Sequence, residues 1–522
     1  MAAIGKQVAK GTVILSSAQY LAMFVNILIT LYIAAILQPI NYGIYGLSLT
    51  TVNLISIFAQ SPIQGPTIKY LSANFAKKDY EGIRANIGIT MGTYVIMSFL
   101  VFTVFYVIAP LLANYLYRQP EMELYLHMLS VVIILGTTNA VNNAILISKR
   151  DYISLSILNF ANTLFSALYP ILLFFLTGWS VFSLVLAYIM GQFTYTAIGV
   201  FFARGHLKEY GINWKPIFDL SQIWLFLRKG FFFEINSIAY AIFNRIDIIF
   251  LGIFASKYEL GLYSFAKGLI NKINISFSSF GVLFYPAISE LDEKDEKVTI
   301  KMAAISAKIL SFVSTFIALF LFFGSYEMIL LLTLFIESLV DYLPSAYILA
   351  IMGLGFLTRG YGTPMSSYFF GKGNFDIPAK VSSIQCIFAI IAYYVLGTFY
   401  GVLGIAIGTA IAYNIPFFVF SYYALREGLP QPYFYTVMFV LSGMVVGFFV
   451  KMIVQYLQIN TILSIIVQFS GITLIYPIAI LVAHGITIDD IRLLKRHIKR
   501  KAVLRFLNIA EKIIILFKSK EK

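Results

Sequence analysis

Stretches of about twenty or more apolar residues, separated by short polar or basic segments, recur along the chain from one end to the other. A bilayer core about 30 Å thick takes about 20 helical residues to cross, so each stretch predicts a transmembrane helix. Fourteen spans are legible, at 11–36, 43–65, 86–112, 124–147, 153–177, 180–203, 230–255, 260–288, 303–332, 343–369, 378–399, 401–425, 433–456 and 461–483. Two of the joins rest on turn signals alone: "TGWS" between the fifth and sixth spans, and "FYGV" between the eleventh and twelfth. The pattern predicts an all-α polytopic membrane protein. The first span follows only Lys6 and Lys10, is too long for a signal-peptide core and lacks a small-residue cleavage pattern, so it is expected to stay in the mature protein.

Composition agrees with the pattern. Of 522 residues 60% are hydrophobic and only 12% charged, with a mean hydropathy of +0.84, more apolar surface than a soluble domain can bury. A single cysteine, Cys386, excludes a disulfide within the chain, and its apolar surroundings predict a buried thiol.

The basic residues set the expected orientation. With a cytoplasmic N-terminus, 31 of the 38 Lys and Arg fall on the cytoplasmic side, only Arg118, Lys257 and Lys451 fall outside, and four lie within spans. Both termini are therefore expected in the cytoplasm of a multi-pass plasma-membrane protein. The net charge of +14 is explained by topology and by anionic membrane lipids, with no nucleic-acid partner required. Residues 485–522 alternate apolar positions (Ile488, Ile491, Leu494, Ile498, Phe506) with basic ones at helical spacing, predicting a basic amphipathic tail on the inner membrane face; a partner-docking helix has the same pattern.

The chain also repeats itself. "NYGIYGLS" from Asn41 is echoed by "ELGLYSFA" from Glu259, so that Gly43 matches Gly261 and Tyr45 matches Tyr263 at an offset of 218. Pro66 answers Pro286, Arg204 answers Arg426, and "SKRDY" from Ser148 answers "KGNFD" from Lys372. Near-constant offsets indicate duplication of a six-helix unit. An even number of spans per copy makes the repeats parallel, an architecture used for transport around a central cavity. The expected organisation is a first repeat over 1–215, a second over 216–430, two additional helices over 431–484 and the tail over 485–522.

The run "RIDIIFLGIFASKYELGLYSFA" from Arg245, its echo "LQPINYGIYGLS" from Leu37, the basic N-terminus before "GTVILSSAQYLAMFVNILI" and the six-plus-six-plus-two layout resemble the polysaccharide flippases of the multidrug/oligosaccharidyl-lipid/polysaccharide (MOP) exporter superfamily. The resemblance covers essentially the whole chain, on short motifs. It implies movement of a lipid-linked oligosaccharide, carried on polyprenyl phosphate or diphosphate, from the inner to the outer leaflet. It also implies glycan polymerases or transferases as partners.

Intramembrane charge marks the candidate site, because a charged side chain at a helix centre costs about 2.5–3.5 kcal/mol to insert. Arg245, Lys267, Lys272 and Arg359 face only two intramembrane acids, Glu234 and Asp247. Four cations suit a phosphate crossing a low-dielectric cavity, so these four are the expected phosphate ligands. Lys267, Asn271, Asn274 and Ser278 follow one helical stripe, which makes Asn271 and Asn274 candidate glycan contacts, while Lys272 points elsewhere. Arg245 shares a face with Glu234 but lies about 16 Å further along the axis. Arg245 and Asp247 differ by about 200° in azimuth, so they cannot enter one cavity together, and one of them is expected to pair with a neighbouring helix. For Glu234 a local ion pair with Arg228 and Lys229 is expected; Asp247 is an ion-pair or coupling-ion candidate. Amides in the first repeat (among them Asn53, Asn139, Asn142 and Asn162) are glycan-compatible or simply helix glue.

Other classes fit less well. No GxxxxGK[ST] loop is present, no cofactor is called for beyond a possible coupling Na⁺ or H⁺, and neither metal-ligand spacing nor an acidic external mouth points to an enzyme such as a membrane glycosyltransferase or ligase. A multidrug/cation antiporter of the same superfamily calls for a dominant buried acid. A peptidoglycan-precursor flippase calls for basic residues in the first two spans, and those spans have none.

Overall fold

In the computed structural model the backbone is described for residues 2–482, apart from 179, 210, 212–214, 293–295, 431–432 and 457–460, and for residues 508 and 511. Side chains are described from residue 24 onward within that range, apart chiefly from 229–234 and most of 275–296. The tail over 485–522, the side chain of Glu234 and that of Ser278 therefore lie outside the described residues, save residues 508 and 511.

The chain is helical throughout the described residues: α1 (Ala2–Lys77), α2 (Tyr80–Leu111), α3 (Met122–Ser148), α4 (Tyr152–Thr177), α5 (Val181–Lys208), α6 (Leu220–Phe254), α7 (Lys257–Asp292), α8 (Glu296–Phe335), α9 (Ser345–Gly353), α10 (Arg359–Gly371), α11 (Asp376–Arg426), α12 (Tyr433–Tyr456) and α13 (Thr461–Val482). Among the described residues ten helices are long and apolar enough to cross a membrane. Two of these are double-length. At 1.5 Å per residue the 51 residues of α11 far exceed one crossing, and the helix breaks at Gly401 (φ 56°, ψ −132°), within the predicted "FYGV" turn. α1 breaks likewise at Gln38 (φ 57°, ψ 169°), immediately before Pro39, whose ring disfavours helix at the preceding residue. The "TGWS" join is a turn at Gly178 (φ 78°).

The predicted tenth span is not one helix. α9 and α10 are separated by a 3₁₀ turn at Leu354–Phe356 and by Thr358, with Asn414 stitching the gap. Its Oδ1 accepts from the Thr358 N–H at 3.1 Å and the Thr358 hydroxyl at 2.6 Å, and its Nδ2 donates to Leu354 O at 3.1 Å. Backbone groups freed by the break are thus satisfied inside the protein, the condition for irregular backbone at membrane depth.

Two compact units divide the chain, one comprising 1–272 with 386–405, the other 273–385 with 406–522. In the first unit the two similar sequence motifs, from Asn41 and from Glu259, meet. A Cβ at Gly261 would lie 1.8 Å from Pro39 O, one at Gly43 would lie 2.7 Å from Gly261 N, and one at Gly46 would lie 3.3 Å from the Ser264 hydroxyl. Gly43 faces Gly261 and Gly46 faces Ser264, each pair 218 residues apart. In the second unit α12 and α13 pack on α8 through Phe312, Leu319, Phe323, Phe439, Val446 and Tyr476, with Lys451 of α12 bonding the buried Glu327 of α8 at 2.6 Å.

Candidate functional site

The 200° between Arg245 and Asp247 sends them to different neighbours. Asp247 turns toward α7, where it forms an ion pair with Lys267 whose two side chains are only 1% and 4% exposed. Lys267 donates to both carboxylate oxygens and, at 2.6 Å, to Asn244 O. The Tyr263 hydroxyl donates to Asp247 Oδ2 at 2.7 Å, and the Ile248 N–H to Oδ1 at 2.8 Å. Both charges are therefore paired and further hydrogen-bonded, which is what a buried ion pair needs to offset its desolvation.

Arg245 turns the other way. Its guanidinium bonds Ala241 O on its own helix at 3.2 Å and lies within electrostatic range of the Tyr188 hydroxyl of α5. Tyr188 in turn donates to Asn53 Oδ1 of α1 at 3.3 Å, with Tyr45 close by. Among the described residues no carboxylate pairs with Arg245. The half-buried Arg245 therefore keeps guanidinium N–H groups for a further acceptor, beside an amide and phenol hydroxyls that suit a polar, oxygen-rich molecule.

The remaining expected ligands are dispersed. Lys272 is half-buried on α7, Asn271 is exposed, and Asn274 donates to the Tyr413 hydroxyl at 3.3 Å while its Oδ1 is buried without a partner. Arg359 opens α10 at the helix break, with its guanidinium 4.8 Å from the centre of the Tyr413 ring. The second unit thus groups Arg359, Asn274 and Tyr413 at a discontinuous helix, a type of element that lines binding sites in transporters. Of the amides, Asn142 is buried with neither side-chain polar atom bonded, and Asn139 and Asn162 each keep a buried, unbonded Oδ1. Sequence reasoning missed Tyr188, Tyr413 and Asn414. An Asn inside an apolar span was a visible signal for Asn414, whereas two tyrosines among 35 carry none.

The family model for polysaccharide biosynthesis proteins matches residues 32–334, more than half of the chain. The chain belongs to this family. Among solved structures it is similar to the lipid II flippase MurJ in an inward closed conformation (TM-score 0.69, 16% identity, covering 90% of this chain and 98% of that one). It is also similar to an inward-facing multidrug resistance MATE transporter of the MOP superfamily (0.58, 16%, 77% and 94%) and to a MOP superfamily transporter from Pyrococcus furiosus (0.54, 14%, 80% and 94%). No curated protein matches significantly. At such identities the structural likeness shows the fold, and it is the MOP fold that the family's motifs implied.

Proposed function

We propose that this family member is a flippase that carries a polyprenyl-phosphate-linked or polyprenyl-diphosphate-linked oligosaccharide from the cytoplasmic to the outer leaflet of the plasma membrane by alternating access, for cell-surface glycan assembly. The observation that carries the reading is the contrast between two neighbouring cations. Lys267 is neutralised by Asp247, whereas Arg245 has no carboxylate partner among the described residues and sits beside Tyr188 and Asn53. An uncompensated guanidinium in a membrane protein suits an anionic head group, for which Arg is the geometrically matched partner. We assign the phosphate to Arg245 and the neighbouring Lys272 of the first unit, with the Asn271 amide toward the glycan, and Arg359 and Asn274 as separate candidate contacts within the second unit; Lys267 serves Asp247. The charge balance along the chain supports cytoplasmic termini, and polymerases or transferases that use the glycan on the far side are the expected partners.

The antiporter reading loses support from the same geometry, since Asp247 is already paired with a cation. A peptidoglycan-precursor lipid is retained as a second substrate, favoured by the coverage and TM-score of the MurJ match. It too is a polyprenyl-diphosphate-linked sugar. The testing experiment is translocation of a fluorescent lipid-linked oligosaccharide in proteoliposomes, by wild type and Arg245→Ala at equal amounts of folded protein. The expected outcome is a loss of transport of at least tenfold, since one charge-assisted contact contributes about 1.5–3 kcal/mol, with partial retention in Arg245→Lys. Equal transport by wild type and Arg245→Ala would sink the assignment. Competition by excess unlabelled peptidoglycan precursor separates the two substrates.

A further inference from the structure

The ammonium of Lys267 sits among three oxygens, all from α6: the Asn244 carbonyl and the two carboxylate oxygens of Asp247. The Ile248 N–H reaches Asp247 Oδ1 at 2.8 Å. Tyr263 holds the other carboxylate oxygen at 2.7 Å. Two donors thus fix the carboxylate from outside while its oxygens converge with the carbonyl on one point. That point is filled by a side chain reaching in from α7.

A main-chain carbonyl and a two-oxygen carboxylate are hard oxygen ligands, the kind that bind alkali and alkaline-earth ions. The cage carries one negative charge. A monovalent cation neutralises it, whereas a divalent ion would leave a net charge in a dry site. We infer that α6 carries a monovalent-cation site whose ion is supplied covalently: the Lys267 ammonium occupies the place of a sodium ion, which closes Asp247 to coupling ions in the native protein, and removal of that amine opens the site to Na⁺. No sodium then passes through Asp247 during transport, and Asp247 is a structural anion. The inference does not depend on which lipid is moved.

The test is thermal unfolding of the purified full chain in nanodiscs, in NaCl against N-methylglucamine chloride at equal ionic strength. Wild type is expected to melt at the same temperature in both salts. Lys267→Ala is expected to melt lower than wild type in N-methylglucamine and to recover by several degrees, saturably, as Na⁺ is added, because an ion that binds only the folded state stabilises it by mass action. Lys267→Ala combined with Asp247→Asn should show no recovery. Absence of a sodium-specific recovery in Lys267→Ala would overturn the inference. Should Lys267→Ala fail to fold, the comparison of wild type with Asp247→Asn decides. Sodium independence of wild type upholds the built-in cation, and a sodium-specific stabilisation of wild type that vanishes in Asp247→Asn refutes it.

Discussion

The turn between α3 and α4 and the turn between α10 and α11 share one backbone, and they fasten it with different side chains. In the first, the N–H groups of Lys149, Arg150 and Asp151 bond the carbonyls of Ile145, Ile147 and Leu146; in the second, those of Lys372, Gly373 and Asn374 bond Tyr368, Phe370 and Phe369. The middle residue has positive φ in both, 59° at Arg150 and 80° at Gly373. Each turn is tied to the end of a later helix, α5 or α11, by a lysine–glutamate pair, Lys149–Glu209 at 3.1 Å and Lys372–Glu427 at 3.2 Å. The first turn spreads its charges: Glu209 is 58% exposed, while Asp151 separately caps α4 and bonds His206 at 2.8 Å. The second gathers three donors (Lys372, the Tyr368 hydroxyl at 3.0 Å and the Asn374 amide at 3.2 Å) on one carboxylate that is 23% exposed. The backbone geometry is the same in both because main-chain bonds close it. The side-chain networks differ because any partner that satisfies the same ends will serve.

The sharpest way to break the comparison is to remove the two glutamates. Glu427→Ala strands three donors and should lower stability by about 2–3 kcal/mol, whereas Glu209→Ala, at an exposed pair, should cost below about 1 kcal/mol. Chemical denaturation of the two variants in parallel checks this, and equal losses would erase the distinction. Exchanging the middle residues comes next. Gly373→Ala forces a Cβ into the left-handed region and should cost about 1–2 kcal/mol, while Arg150→Gly relieves that strain and should be neutral or stabilising by up to about 1 kcal/mol after the extra freedom of glycine in the unfolded chain is subtracted. Melting temperatures that move in the same direction for both variants would contradict the shared geometry.

The smallest effect is one of pH. Burial pushes the Asp151 carboxyl up, but the hydroxyl and N–H of Ser154 and the imidazole of His206 outweigh it and hold the group below the usual aspartate range. A carboxyl lowered on folding stabilises fully above its unfolded value of about 3.9 and loses that contribution as pH falls through the folded value. Wild type should therefore lose more stability than Asp151→Asn on acidification below about pH 4, while the two curves run parallel above pH 5. Indistinguishable acid profiles would remove Asp151 from the account.

Long apolar runs were enough to read most of the helices, the tenth span excepted, and glycine marked the joins at Gly178 and Gly401, because glycine is the residue for which positive φ costs least. The break at Gln38 falls in the gap read between the first two spans and just before Pro39, whereas the positive φ at Lys78, Arg118 and Arg150 was not legible, since ordinary residues are held there by bonds made elsewhere. Azimuth on one helix predicted that Arg245 and Asp247 must part company. It could not name the neighbour, because the rotation of α7 against α6 is set by packing; Lys267, read as a phosphate ligand, lies instead in an ion pair with Asp247.

The meeting of Gly43 with Gly261 has a consequence for how such a chain changes over time. Two distant segments of one chain are ordinarily free to vary independently, each substitution judged in its own place. Here, where the two segments touch, a Cβ on either side would strike the main chain of the other, 1.8 Å from Pro39 O in one direction and 2.7 Å from Gly261 N in the other. Neither half can enlarge at that point unless the other withdraws first, and a backbone cannot withdraw by mutation of a side chain. The two motifs can change there only together, while the side chains around them, the Lys267–Asp247 pair among them, carry no such tie.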